Sequence, residues 1–397
     1  MIIHTVQASL DKVSIDDMAR SKRRKEQKKE AIDRLYYQSR DLQSLLANIE
    51  MLSNIDKRFY LSGLILTSKT DICTVLRSRN YIKYTCDITP IAENMCRGSL
   101  SKEIGDGVIE KGPFIVYKRD SIPHVYILLT HEKSSFLNKV IVPFISKFHP
   151  IISRSFISTS YMYKILESFE SIFGEEKIHV SRYSSRGWVK NGNMRKRIES
   201  EVKWTDKPFR DVFKEIAEGE EWLKSIDFFT IGKPAENAIL SGGYLRNKFK
   251  IYRDSRFQVS THYRMFFDRV IEGILNRASF YFQLFNMRER IREENFKPKP
   301  IVIQYDVDIF KDKSENRRLI EVLKTTSHTS VSVYHGNPYL HASYVDYQDG
   351  SSYDIWVLSN DRIIIVPQMR STPAALEKLG EAIFTGFREG TIKDFKG

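Results

Sequence analysis

The sequence predicts an α+β fold of mixed helices and antiparallel sheets, and three observations predict it. Apolar residues recur at helical spacing behind capping residues in several stretches. Short apolar or alternating runs, such as Phe59–Thr67 and Arg246–Tyr252, read as strands. Near the C-terminus four more such runs are separated only by turn signals, the pattern of an antiparallel meander. At 397 residues, 41% hydrophobic and 12% aromatic, the chain can build a real core and more than one domain.

Taken in order, residues 15–52 read as one long helix whose N-terminal end suits Asp16 and Asp17. Nine basic and three acidic residues lie between Arg20 and Arg40, and the apolar stripe (Leu35, Leu42, Leu45, Leu46, Ile49) occupies only the second half. The first half is expected to lack a core face. It reads either as a solvated helix or as a contact for nucleic acid or a partner. Buried strands follow at Phe59–Thr67 and Val125–Leu129, with a loop-rich region at Gly105, Gly107, Gly112 and Pro113 between them. That region suggests division into an N-terminal part, 1–110, and a larger region, 111–397.

A helix is expected from Ser134 to Phe148 with a kink or break at Pro143. Ser158–Ser160 offer an N-cap to a helix carrying Ile165, Leu166, Phe169 and Ile172, and Lys177–Tyr183 reads as a strand. A flexible loop is expected from Arg182 to Arg197, then a helix near Phe209–Ser225. Residues 262–294 give the clearest helix, followed by a strand at Ile301–Tyr305. Strands at Ser330–Tyr334, Leu340–Tyr344, Tyr353–Leu358 and Ile363–Val366 form the meander. The last helix starts at Thr372 and Pro373, shows Leu376, Leu379, Ile383 and Phe387 on one stripe, and is expected to stop at Gly390. No internal repeat stands out.

Charge narrows the function. A net charge of +13 with a pI near 9.4 must sit on the surface, because unpaired buried charge is too costly. It favours a polyanionic partner, DNA or RNA, over a merely solubilising surface. Cys73, Cys86 and Cys96 lack paired C-x-x-C spacing and are too few for a disulfide framework. They are expected as reduced thiols in a reducing compartment, with a Cys86–Cys96 bridge as the other state. Residues Met1–Ser9 do not read as a secretory signal, and no apolar run nears the roughly 20 residues that span a bilayer. A soluble cytoplasmic protein without membrane insertion is the expectation.

Two basic segments carry the binding hypothesis. Arg182, Arg186, Lys190, Arg195, Lys196 and Arg197 occur with no acid among them. Arg246, Lys248 and Lys250 share one face of an alternating strand with Tyr252, while Phe249 and Ile251 share the other; Arg253 and Arg256 extend that patch. Cations neutralise phosphates, and interleaved aromatics such as Tyr244, Tyr252 and Phe257 can stack on bases.

Catalytic patterns are weaker. His335, Asn337, His341, Asp346, Asp349 and Asp354 could bind a metal, but His335 and His341 flank a Gly-Asn-Pro turn and Asp349 starts an Asp-Gly turn. The stretch His341–Gln348 resembles the H-x-K-x4-D element of phospholipase-D-like nucleases, yet Ser343 replaces the lysine and Gln348 the aspartate. Asp306 and Asp308 follow a strand and could hold Mg²⁺ for phosphodiester cleavage, which makes a nuclease the alternative function. No G-x-x-x-x-G-K-[ST] exists and no dinucleotide fingerprint follows a strand, so no cofactor, resident metal or catalytic residue is expected.

The segments His335-Gly-Asn-Pro-Tyr-Leu-His341, Asp346-Tyr-Gln-Asp-Gly-Ser-Ser-Tyr-Asp354, Ile365-Val-Pro-Gln368 and Phe387-Arg-Glu-Gly390 together resemble the C-terminal part of APAZ proteins, partners of short prokaryotic Argonautes. The likeness extends loosely back to residue 120. It implies a fold similar to the N-terminal and linker domains of long Argonautes. It also implies pairing with a MID–PIWI protein around guide RNA or DNA and target DNA, in antiviral defence. Many such proteins carry a fused effector ahead of this region. The first hundred residues here show no effector motif, which implies a stand-alone adaptor or signalling to a separate effector protein.

Overall fold

The computed structural model describes residues 22–397 except 57–58, 78–80, 106, 173–176, 192–193, 232–247, 291–298, 313 and 396–397, and of 188–191, 194–201 and 231 it describes the backbone but not the side chains. The described residues form an α+β fold with two antiparallel sheets. The expected single N-terminal helix is two: α1 spans 22–37 and α2 spans Leu42–Ile55. Asp41 breaks the run by capping α2, its carboxylate accepting from the Ser44 amide at 2.7 Å. The basic first half does lack a core face over its described length: residues 22–30 are exposed apart from a partly covered Lys28, and burial starts only at Ala31, Leu35 and Tyr36. Asp16 and Asp17 lie outside the described residues.

The chain then runs β1 (Leu61–Thr67), α3 (Ile72–Arg77), β2 (Tyr84–Ala92), β3 (Met95–Gly105), β4 (Val108–Lys118) and β5 (Val125–Thr130). Gly105 and Gly107, at φ +120° and +75°, turn β3 into β4. The boundary expected near 110 therefore falls on a hairpin whose strands are neighbours in one sheet. Next come α4 (Ser134–Phe136), a π-helical turn (Leu137–Ile141) and α5 (Val142–Ser146). The backbone stays helical across these three segments, and Pro143 sits in the first turn of α5, where its missing N–H follows the widened π turn.

A two-residue β6 (Ser153–Arg154), α6 (Thr159–Glu170), β7 (Lys177–Asn191), β8 (Met194–Pro208), α7 (Phe209–Glu218) and β9 (Glu221–Ile231) follow. The expected flexible loop at 182–197 is thus a long hairpin, and the helix expected to reach Ser225 gives way to β9. The first sheet closes with β10 (Phe249–Tyr252) and β11 (Arg256–Val259); its order is β2-β3-β4-β5-β1-β11-β10-β9-β7-β8, with β6 beside β1.

After β11 come α8 (Tyr263–Met265), a second π turn (Phe266–Ile271) and α9 (Glu272–Asn286). This repeats the β5-to-α4 passage, each introduced by a Thr-His pair (Thr130-His131, Thr261-His262) and each ending its π turn in Val-Ile. It is a local repeat that the sequence reading passes over. β12 (Ile301–Gln304), α10 (Ser314–Lys324), β13 (Thr329–His335), β14 (Leu340–Asp346), β15 (Ser351–Ser359), β16 (Arg362–Pro367), α11 (Pro373–Gly386) and β17 (Thr391–Asp394) complete the chain. The second sheet is ordered β13-β14-β15-β16-β12-β17, so the expected meander is present. Thr372 caps α11 as expected, but the helix ends at Gly386 rather than Gly390, and the unforeseen β17 pairs with β12.

Helix α9 joins the two halves: Ile274, Leu275 and Ala278 belong to the core of the large sheet, Tyr281, Leu284 and Phe285 to that of the small one. The large sheet is covered unequally. One face packs on α1, α2, α6 and α7. On the other, α3, α4 and α5 cover only strands β1 to β5.

The cysteine expectation is corrected. Cys73 and Cys96 form a disulfide with Cα atoms 6.4 Å apart, and Cys86 is free. Register explains the choice. Cys86 pairs with Leu100, four residues along β3 from Cys96, a separation of about 13 Å and beyond disulfide reach. Cys73, on α3, sits over the same layer as Cys96.

Candidate nucleic-acid interface

The uncovered half of the large sheet gathers cations in register. On β10, Phe249 and Ile251 are buried while Lys250 and Tyr252 face outward, as the alternation predicts. Cross-strand pairing then continues in one row: Trp204 of β8, Arg182 of β7, Asp227 of β9, Lys250 of β10, Gln258 of β11 and Ser62 of β1. A parallel row holds Val202, Ser184, Ser225 and Tyr252, which meets Arg256.

A bulge makes this possible. Val180 points into the core, so alternation alone would send Arg182 inward as well. The register shift between Val180 and Arg182 inserts Ser181, turning Arg182 outward and Tyr183 inward.

Local acids temper the charge. Asp227 accepts from the Arg182 guanidinium at 2.6 Å and pairs with Lys250 at 3.0 Å. Asp254 holds Arg256 at 2.8 Å and Arg154 at 3.2 Å. Each carboxylate thus serves two cations, leaving a net positive charge in each trio. Aromatic faces take up the rest: Lys250 and Arg256 lie 4.7 and 4.5 Å from the Tyr252 ring centre, and Arg182 lies 4.9 Å from that of Trp204.

Several expected binding residues stand elsewhere. Arg253 is buried: it donates to the Leu223 carbonyl at 2.9 Å and forms an ion pair with Glu389, so it is a structural cation. Arg246 lies outside the described residues, Lys248 is exposed, and Arg186 is half-buried on β7. Lys190, Arg195, Lys196 and Arg197 occupy the far end of the β7–β8 hairpin, with Lys190 opposite Arg195 and Val189 opposite Lys196; their side chains lie outside the described residues. Arg154, Asp227 and Trp204 were not foreseen. Asp227 falls on β9, a strand that periodicity did not predict.

Three adjoining hollows meet at this surface, one reaching round to α2 and one running into the cleft beside α5. The largest, about 1350 Å³, is bordered by Arg182, Trp204, Lys248 and Lys250, with Glu50, Asp56 and Asp227 also on its wall. A hollow of about 380 Å³ shares Arg182 and Lys250 with it and adds Arg186, Lys224 and Arg256. That one meets, at Glu381 and Thr385, a cleft of about 760 Å³ between the two halves, which carries Lys83, Lys102, Lys147, Arg154 and Lys378. At the floor of this cleft Glu377 is buried, its carboxyl pushed up to about 8 by burial. Protonated at neutral pH, it does not offset the surrounding cations.

The acidic candidates do not assemble. Asp306 and Asp308 are exposed, Asp308 pairs with Lys311 at 2.9 Å, and among the described residues no three His, Cys, Asp or Glu side chains converge to hold a metal. In the meander, His341 stacks on Trp356 at 3.6 Å, Asp354 accepts from Gln368 at 2.9 Å, and Asp346 is buried against Lys378 at 2.9 Å. Asp349 accepts from the Ser351 amide at 2.8 Å ahead of Gly350, at φ +76°, and bonds the Thr372 side chain. These are joints of turns and strands. Among the described residues no helix is long and apolar enough to cross a membrane. No family model matches the chain, and no curated protein matches it.

Proposed function

We propose that this chain is a non-catalytic subunit that binds nucleic acid through its sugar-phosphate backbone along the uncovered half of the large sheet. The observation that carries this reading is the run of adjoining hollows in which Arg182, Lys250, Arg256 and Arg154 outnumber the acids that pair with them. Backbone contacts of this kind position a strand without reading its sequence, so specificity is left to another component. The resemblance in the C-terminal segments supplies that component: a short Argonaute of MID–PIWI type, with guide RNA or DNA and target DNA between the two chains. In this reading the Argonaute pair senses invading nucleic acid and relays the event to a separate effector in the cytoplasm of a prokaryote.

Fluorescence anisotropy with labelled DNA and RNA, single- and double-stranded, tests the binding. Affinity should fall steeply between about 50 and 200 mM salt, and replacing both Lys250 and Arg256 by alanine should lower the log–log salt slope by up to about 2. Salt-independent or absent binding, alone and with a co-expressed short Argonaute, overturns the proposal. So does Mg²⁺-dependent cleavage that Asp306→Ala abolishes.

A further inference from the structure

Trp204 is the outlier of the interface. It lies on β8, the edge strand of the large sheet, and is 75% exposed, whereas the other described aromatic of its row system, Tyr252, is partly covered. Val202, two residues earlier on the same face, is 51% exposed. Large apolar side chains left in water on an edge strand carry a cost unless a ligand covers them. Here they border a cation row rather than an apolar patch, and one ring face of Trp204 is backed by the Arg182 guanidinium. A platform with a planar aromatic ring, a cation behind it and a hollow bordered by Arg182, Lys248 and Lys250 beside it matches the chemistry of a nucleotide: a flat base next to a charged backbone.

We infer that Trp204 stacks on a nucleobase whose face is not covered by a neighbouring base, so that the interface prefers nucleic acid with an open base face to continuous duplex. This rests on the proposed binding along the uncovered sheet and names its substrate class. Arg182 serves as a positioning residue: Asp227 fixes its guanidinium at 2.6 Å, and the guanidinium in turn holds the indole at the rim of the largest hollow. An open base face has two sources, an unpaired base in a single strand or the terminal pair of a blunt duplex. A duplex closed by loops at both ends, its loops too tight to offer a free base, has neither.

The experiment measures dissociation constants at one salt concentration for a single strand, a blunt duplex and a loop-closed duplex, with the wild-type chain and with Trp204→Ala and Trp204→Phe. Loss of one stacked base corresponds to roughly a tenfold weakening or more. Trp204→Ala should show that loss on the single strand while leaving the closed duplex unchanged, and Trp204→Phe should restore most of it. A parallel loss on the blunt duplex assigns terminal pairs to the same platform; its absence confines the platform to unpaired bases. Unchanged affinity for the single strand in Trp204→Ala, or equal loss on the closed duplex, overturns the inference while leaving backbone binding intact. Wild-type protein that binds none of the three ligands removes backbone binding and the inference together.

Discussion

The Arg253 guanidinium is buried against the Glu389 carboxylate, 136 residues further along the chain. Glu389 also accepts from the Thr159 amide at 2.7 Å and the Thr159 hydroxyl at 2.8 Å, at the start of α6. One carboxylate from the C-terminal segment thus ties β10 and α6 of the large-sheet half to the small-sheet half. Removing one partner of such a pair leaves the other charge buried and uncompensated, which costs about 3–5 kcal/mol. Arg253→Ala and Glu389→Ala are each expected to lower unfolding stability by that order in urea titrations, and the double variant by much less than the sum. Additive losses would mean that the two side chains are not coupled.

Asp227 sits between Arg182 and Lys250 and neutralises part of the interface. Asp227→Asn keeps the shape and removes the charge. If these cations meet phosphates, the variant should bind polyanions several-fold more tightly at moderate salt, with a steeper salt slope. Anisotropy against one labelled oligonucleotide checks this. Weaker binding by a folded variant would show that Asp227 matters more for holding Arg182 in place than for offsetting its charge.

Much of the fold was legible because periodicity and capping are local. Ser158 and Thr372 cap helices as their neighbours suggest, and Phe249 and Ile251 alternate inward with Lys250 outward. The site was legible only in part. The alternation assigns Lys250 to the outward face correctly, but the sequence reading places Arg182 in a loop, whereas Arg182 faces outward on β7 because of a bulge that no composition signal announces. Arg253, two residues beyond Ile251 and three beyond Lys250, looked like more of the patch; a turn at Asp254 and Ser255 and a carboxylate distant in sequence decide otherwise. Cysteine pairing failed for the same reason, since Cys73 reaches Cys96 through the packing of α3 on the sheet and not through spacing.

That disulfide closes a loop with a sequence separation of 23 residues, and chain-entropy arguments give it about 3 kcal/mol. Reduction, or Cys73→Ser, is expected to shift the denaturation midpoint downward by a corresponding amount. Cys86→Ser should not, because Cys86 has no covalent partner. Thiol titration of the unfolded chain should find one reactive group before reduction and three after; three before reduction would refute the pairing.

Two desolvated groups, Glu377 and His131, give stability opposite pH dependences. Burial, reinforced by the charge of Glu381 and opposed by a hydrogen bond from Thr67, pushes Glu377 up to about 8 from an ordinary value of 4.5. The folded chain therefore keeps a proton that the unfolded chain releases; this contribution is full below pH 4.5 and is lost as pH rises to about 8. His131, half-buried with its Nδ1 2.7 Å from the Tyr36 hydroxyl, is pushed down to about 4 from 6.5, mainly by loss of solvation and further by Lys28. Its contribution is full above pH 6.5 and is lost as pH falls to about 4. The two oppose each other between 4.5 and 6.5, and from 6.5 to 8 only the Glu377 decline remains. Urea unfolding across that upper window should show stability falling by up to about 1.4 kcal/mol per pH unit, and Glu377→Gln, which cannot ionise, should flatten it. His131→Gln should leave the upper window as it is and remove part of the loss on the acid side. An unchanged slope from pH 6.5 to 8 in Glu377→Gln would place the titrating group elsewhere.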